Sequence, residues 1–199
     1  MNIINNPQPC EWAALCERNA PSDEQVMESV RAIVESVRKE GDQALRRFAH
    51  DFDCATITDI ELTDDERTLL AAQTSAEVQQ AIQHALHNIQ AFHKAQKPMM
   101  VEVETQPGVH CVQKAVPIQR VGLYIPGGRA PLFSTVLMLA APAVIAGCKE
   151  IVLCTPQGAD GHIAPEIIYA ANICGIHHIY RVGGAQAIAA MAYGTESIP

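Results

Sequence analysis

The sequence predicts an α/β protein: helices first, then a β-hairpin, then a parallel sheet. Three observations carry that prediction. Apolar residues recur at helical spacing through the first half of the chain. A short alternating stretch, VEVETQPGVHCV, turns on Pro107-Gly108. Beyond residue 118, apolar runs of strand length alternate with helix-length segments, as in parallel strands joined by right-handed crossovers.

The first long helix opens at SDEQ, where Ser22 and Gln25 have capping-box form. Val26, Val30, Ile33, Val34 and Val37 follow as its apolar stripe, and Gly41 supplies its stop. DQALRRFAHDF continues as a second helix. TDDE at 63–66 repeats the capping form, with acids suited to the positive helix end. Val78, Ile82, Leu86, Ile89 and Phe92 form the stripe of a longer helix starting near Ser75. Such helices are marginal alone, so they require a surface to pack on.

The hairpin follows from Gly108, which accepts the positive φ that a type II turn demands. RVGLYI, KEIVLCTP and HIYRVGG then read as strands. The segment after Pro131, PEIIYAANICG and AQAIAAMAYG read as helices, two of them closed by Gly147 and Gly175. The expected organisation is a helical segment over 1–97, a hairpin connector over 98–117, and an α/β domain over 118–199. The last is a partial, Rossmann-like parallel sheet, incomplete at its C-terminal side.

Net charge is −8, which argues against nucleic acid and against an anionic membrane surface, since both attract basic proteins. Seven cysteines, widely spaced and without C-x-x-C, read as reduced thiols. The N-terminal stretch MNIINNPQPCEW has no signal-peptide pattern. The apolar run 136–147 contains Pro142 and falls short of the roughly 20 residues a membrane span needs. Small-molecule chemistry in the cytoplasm is the expectation.

In an open parallel sheet, ligands bind beyond the carboxyl ends of the strands. Two glycine-bearing loops meet that description: Pro126-Gly127-Gly128 and Gly183-Gly184-Ala185-Gln186. Glycine permits close approach of a ligand, and the following helix offers N–H groups to an anion. Neither loop matches G-x-G-x-x-G, so both also read as tight strand-to-helix turns. Tyr124 and Gln186 flank the crevice mouth, or else serve strand packing and helix capping. His84 and His87 fall on the solvated side of their helix, while His177 and His178 point to opposite faces of a strand. Neither pair is expected to hold a metal, and Ser134 lies outside any G-x-S-x-G elbow.

Taken together, ETQPGV, VGLYIPGGRAPLFSTVLMLAAPA, IAGCKEIVLC and VGGAQAIAAMAYGTESIP resemble the histidinol dehydrogenase family. EGDQALRRFAHDFD and NIQAFHKAQ resemble the same family's N-terminal helices. The resemblance implies a homodimeric, zinc-dependent enzyme. It oxidises L-histidinol to L-histidinaldehyde and then to L-histidine, reducing NAD at each step. In that family the tyrosine of YIPGG and the glutamine of GGAQ contact NAD, which are Tyr124 and Gln186 here; Pro126 and Gly184 are included as neighbours. The family's zinc ligands and its Glu-His acid/base pair lie in segments that this sequence does not contain. Neither a catalytic nor a metal-binding residue is therefore assigned, and the chain is expected to be an N-terminal portion, inactive alone. The alternative is a noncatalytic nucleotide-binding or assembly module.

Overall fold

A computed structural model describes residues 3–17, 24–53, 57–127, 130–158 and 161–199. A 3-10 turn at Pro9–Glu11 leads into the short α1 (Trp12–Cys16). Then come α2 (Glu24–Glu40), α3 (Asp42–Asp53), α4 (Asp64–Ala71) and α5 (Ala76–Ala95). The hairpin is β1 (Val101–Gln106) and β2 (Val109–Gln113). After it run β3 (Arg120–Tyr124), α6 (Phe133–Ala146), β4 (Glu150–Cys154), α7 (Pro165–Ile173), β5 (His178–Tyr180) and α8 (Gly184–Tyr193).

Local chemistry sets the boundaries. Thr63 caps α4 reciprocally with Glu66, and Ser75 caps α5 by accepting from the Val78 N–H at 3.4 Å. Gly41 ends α2 in a left-handed conformation, φ +54°. Gly108, at φ +80°, closes the hairpin between Gln106 and Val109. The Ser22 cap lies outside the described residues.

Among the described residues, β3, β4 and β5 form a parallel sheet in that order, with Tyr124 opposite Cys154 and Cys154 opposite Tyr180. Strand alternation divides its side chains between two cores. Leu123, Leu153 and Ile179 face α5, α6 and α7, joined by Ile82, Leu86, Val136, Leu137 and Ile168. Val152, Cys154 and Tyr180 face the other way, against Val37 of α2, Leu45 and Phe48 of α3, and Ala187 and Ala190 of α8. The amphipathic N-terminal helices thus find their partner surface on the two faces of the sheet. Their stripes are covered only in part: Val37, Ile82 and Leu86 are buried, whereas Val26 and Phe92 are exposed.

One connection was not read from the sequence. Residues 60–62 run antiparallel along the outer edge of β5: Leu62 N–H donates to Ile179 O at 2.9 Å, and Arg181 N–H to Ile60 O at 2.8 Å. Side chains fasten the same seam, with Glu61 on His178, Glu66 on Arg181, and Arg67 between Asp64 and Asn172 of α7. The outer edge of β3, by contrast, carries no strand among the described residues.

The turn after α8 is clamped to the start of α3. Asp42 N–H donates to the Glu196 carboxylate at 2.8 Å, while the Ser197 hydroxyl and N–H both donate to the Asp42 carboxylate. Asp42 is 6% exposed. Burial alone would push its carboxyl up; the hydroxyls of Ser197 and Thr195, with Arg46 nearby, more than offset this and hold it below the usual range. A carboxyl held low in the fold stabilises above its unfolded value and loses that contribution as pH falls through the folded one. Asp42→Ala is therefore expected to cost on the order of 2 kcal/mol in urea unfolding at neutral pH. The difference from wild type should narrow as pH drops below about 4; a gap that is constant with pH would contradict the clamp.

Candidate functional site

The helices that follow the three parallel strands do not all return on one side. α6 and α7 pack on one face, whereas α8 packs on the other, alongside α2 and against β3. Gly122 makes room for it: a β-carbon there would meet Met191 Sδ at 2.4 Å. A change of side between neighbouring crossovers opens a crevice at the carboxyl ends of the strands, where ligands of α/β sheets bind.

Tyr124 stands at that end of β3, half buried on the α8 side. Its hydroxyl oxygen accepts the Gly184 N–H at 2.9 Å, engaging one of the donors that α8 leaves without a helical partner. Gly184 has φ +61°, and a β-carbon on it would lie 2.6 Å from Gln186 Oε1. The Gln186 side chain, 3% exposed, is thus folded back over the same glycine. Tyr124, Gly184 and Gln186 converge on one point at the helix start.

The remaining glycines of the two loops have a packing explanation. A side chain on Gly127 would meet Pro156 Cγ at 2.5 Å, and one on Gly183 would meet Pro156 Cβ at 2.6 Å. Pro156, just past β4, is seated between the loops, so close approach by protein accounts for both glycines without a ligand.

Beside this point opens a cavity of about 600 Å³. Pro126, Gly127, Ala130 and Pro131 form one wall, and Thr155 to Gly158 a second. His162 to Pro165 with Ile167 form a third, and Leu70 of α4 with Gln73 in the turn after it a fourth. Pro126 thus borders the cavity, while Tyr124, Gly184 and Gln186 are not among its walls. Sequence reading missed Thr155 and the α4 wall. The position of Thr155, directly after the second parallel strand, was the available signal; the approach of α4 had none.

The histidines behave as surface residues. His84 pairs with Asn88 and His93 with Gln96 on α5, and His178 with Glu61. Among the described residues, no three His, Cys, Asp or Glu side chains lie close enough together to hold a metal ion. Burial pushes the Cys154 thiol up to about 12 and the Cys174 thiol to about 11, so both stay protonated and unreactive near neutrality. No described helix is long and apolar enough to cross a membrane.

The Gly184 geometry makes a stability prediction. Gly184→Ala meets both the positive φ and the Gln186 amide, and should cost about 1–3 kcal/mol in urea unfolding. Gly175→Ala also places a side chain at positive φ, +77°, but with nothing within 4 Å, and should cost only about 1 kcal/mol. Equal costs would show that Gln186 does not press on Gly184.

Comparison with known proteins gives a consistent answer. The model of the histidinol dehydrogenase family matches residues 16–199. A histidinol dehydrogenase of Bacteroides thetaiotaomicron is 50% identical over 199 residues, all of this chain and 46% of the relative. One from Escherichia coli is 51% identical over 178 residues, 89% of this chain and 40% of the relative. The crystal structure of histidinol dehydrogenase from Elizabethkingia anophelis superposes with a TM-score of 0.91 at 48% identity, over 98% of this chain and 45% of that one. The chain spans less than half the length of each of these relatives. With nearly its whole length matched, this chain belongs to the histidinol dehydrogenase family.

Proposed function

We propose that this chain supplies part of the NAD cradle of a cytoplasmic, homodimeric enzyme that oxidises L-histidinol through L-histidinaldehyde to L-histidine. The single observation that carries the reading is the junction of β3 and α8, where the Tyr124 hydroxyl holds the Gly184 N–H at 2.9 Å. That junction sits where the crossover helices change faces, the general location of dinucleotide sites in such sheets. Tyr124, Gln186, Pro126 and Gly184 would contact the cofactor, which supplies the hydride acceptor when bound.

The chain's own residues position rather than react. Tyr124 offers a half-buried aromatic face and fixes the first turn of α8. Gln186, buried and folded over Gly184, keeps an amide at the helix start. Gly184 is exposed and lacks a β-carbon, so a phosphate can approach the helix N-terminus, whose dipole favours an anion.

Tyr180, the buried hydroxyl at the end of β5, is not suited to proton transfer. Burial pushes the Tyr180 hydroxyl up to about 12, aided by the charges of Glu61 and Glu150, so it holds its proton near neutrality. Zinc, which the resemblance implies, does not fit the described residues, because no ligand cluster exists among them. No step through a metal is derived for this chain. The proton acceptor and the substrate-orienting groups belong, in this reading, to further polypeptide. The uncovered edge of β3 and the fully exposed hairpin support such an assembly, because a lone two-stranded hairpin is marginal in water.

Two measurements test the reading. With L-histidinol, NAD and added zinc, this chain alone should give no turnover, since lost orientation and base catalysis each cost orders of magnitude. In calorimetry with NAD, Tyr124→Ala should weaken binding at least about tenfold, a loss equivalent to about 1.4 kcal/mol. Turnover by the isolated chain, or NAD binding indifferent to Tyr124, would contradict it.

A further inference from the structure

The seam between residues 60–66 and β5 ends one short step from the candidate site, and a single carboxylate fastens it there. β5 (His178–Tyr180) is the shortest strand of its sheet. Its outer side is held by two backbone hydrogen bonds among the described residues, Leu62 N–H to Ile179 O and Arg181 N–H to Ile60 O. A pairing with so few bonds opens locally at little cost. Side chains have to complete it.

Glu66 does so with its two oxygens on separate tasks. Oε2 accepts the Thr63 N–H and the Thr63 hydroxyl, each at 3.0 Å, closing the capping box at the start of α4. Oε1 meets Arg181 Nη2 at 2.5 Å. Burial alone would push the Glu66 carboxyl up; the Thr63 N–H and the Arg181 guanidinium more than offset this and hold it below the usual range. It is therefore charged at neutrality and anchored to a capped helical turn. Arg181 is sheltered in return: its side chain is 16% exposed, against 70% for Arg120 in its pair with Glu150. Exposed pairs contribute little, whereas a sheltered, charge-assisted bond to a fixed partner restrains the backbone that carries it.

Arg181 carries that restraint into the site. Only Val182 and Gly183 lie between it and Gly184. Neither leaves slack: Val182 is buried in the core with α2, α3 and α8, and Gly183 lies close against Pro156. A displacement of Arg181 is passed on to the start of α8, where the Gly184 N–H meets the Tyr124 hydroxyl at 2.9 Å.

We propose that Glu66 is a positioning residue: through Arg181 it sets the β5–α8 turn so that the Gly184 N–H reaches the Tyr124 hydroxyl. The link itself stands on the fold, while its use by the enzyme rests on the NAD reading above.

Amide hydrogen exchange on the full chain tests the link without any ligand, comparing Gly184 with Gly147, whose N–H closes α6 on Val144 O at 3.0 Å. Glu66→Gln keeps a residue that capping boxes accept but removes the charge that Arg181 meets. It should speed exchange at Gly184 at least about fivefold relative to Gly147, because the turn opens locally. Thr63→Ala, which weakens the cap and leaves the ion pair, should lower the urea midpoint and speed both amides alike. Arg181→Met should match Glu66→Gln, and Arg181→Lys should restore most of the protection. The double variant Glu66→Gln/Arg181→Met should be no worse than either single one, since both break the same link. In calorimetry, Glu66→Gln should weaken NAD binding roughly fivefold, and Thr63→Ala should leave it within about twofold. Equal responses of Gly184 and Gly147 to Glu66→Gln, or additive losses in the double variant, would overturn the proposal. So would weaker NAD binding with Gly184 exchange unchanged, which makes Arg181 a direct ligand contact instead. Selective loosening of Gly184 with NAD affinity unmoved would support the link and count against the NAD reading.

Discussion

Everything at the candidate site depends on α8 returning over the opposite face of the sheet from α6 and α7. Had it followed them, Tyr124 would face a strand packed between helices, and no crevice would open beside β3. Gly184 takes a left-handed backbone, φ +61°, and its N–H is caught by the Tyr124 hydroxyl. A residue with a β-carbon meets both backbone strain and the Gln186 side chain there. Gly122 completes the arrangement by letting Met191 of α8 lie directly on β3. The hydrogen bond thus joins β3 to the start of α8 at the centre of the candidate site.

A junction of this kind needs a stiff frame, and the N-terminal half provides it. α5 covers one face of the sheet, and α2 and α3 cover the other. Residues 60–62 cap the edge of β5, with Glu61, Glu66 and Arg67 fastening the seam to β5 and α7. Asp42 and Glu196 then tie the end of α8 back to α3. The same N-terminal region also reaches the cavity, since Leu70 of α4 and Gln73 just beyond it form one of its walls. Helices that look like mere covers are therefore part of the site's shape.

Much of this was legible in the chain because it is encoded locally. The Thr63–Glu66 capping box, the Gly41 stop and the Pro107-Gly108 turn each depend on a few neighbouring residues, and each appears where its chemistry places it. The alternation of strand and helix beyond residue 118 was equally plain. Periodicity gave the buried face of α2 and α5 but not how much of each stripe is covered: Val26 and Phe92 are exposed. Contacts between distant residues were invisible. Pro156 between Gly127 and Gly183, residues 60–62 on β5, and α4 beside Thr155 are all of that kind. Glycines that suggested a ligand at Gly127 and Gly183 instead accommodate a proline, which periodicity and motif spacing have no means to distinguish.

The most direct measurement is a crystal structure of this chain grown with NAD. The dinucleotide should lie at the carboxyl ends of the parallel strands, in contact with Tyr124 and Gln186. Density for NAD elsewhere on the molecule, with the Tyr124–Gly184 junction empty at saturating cofactor, would contradict the account.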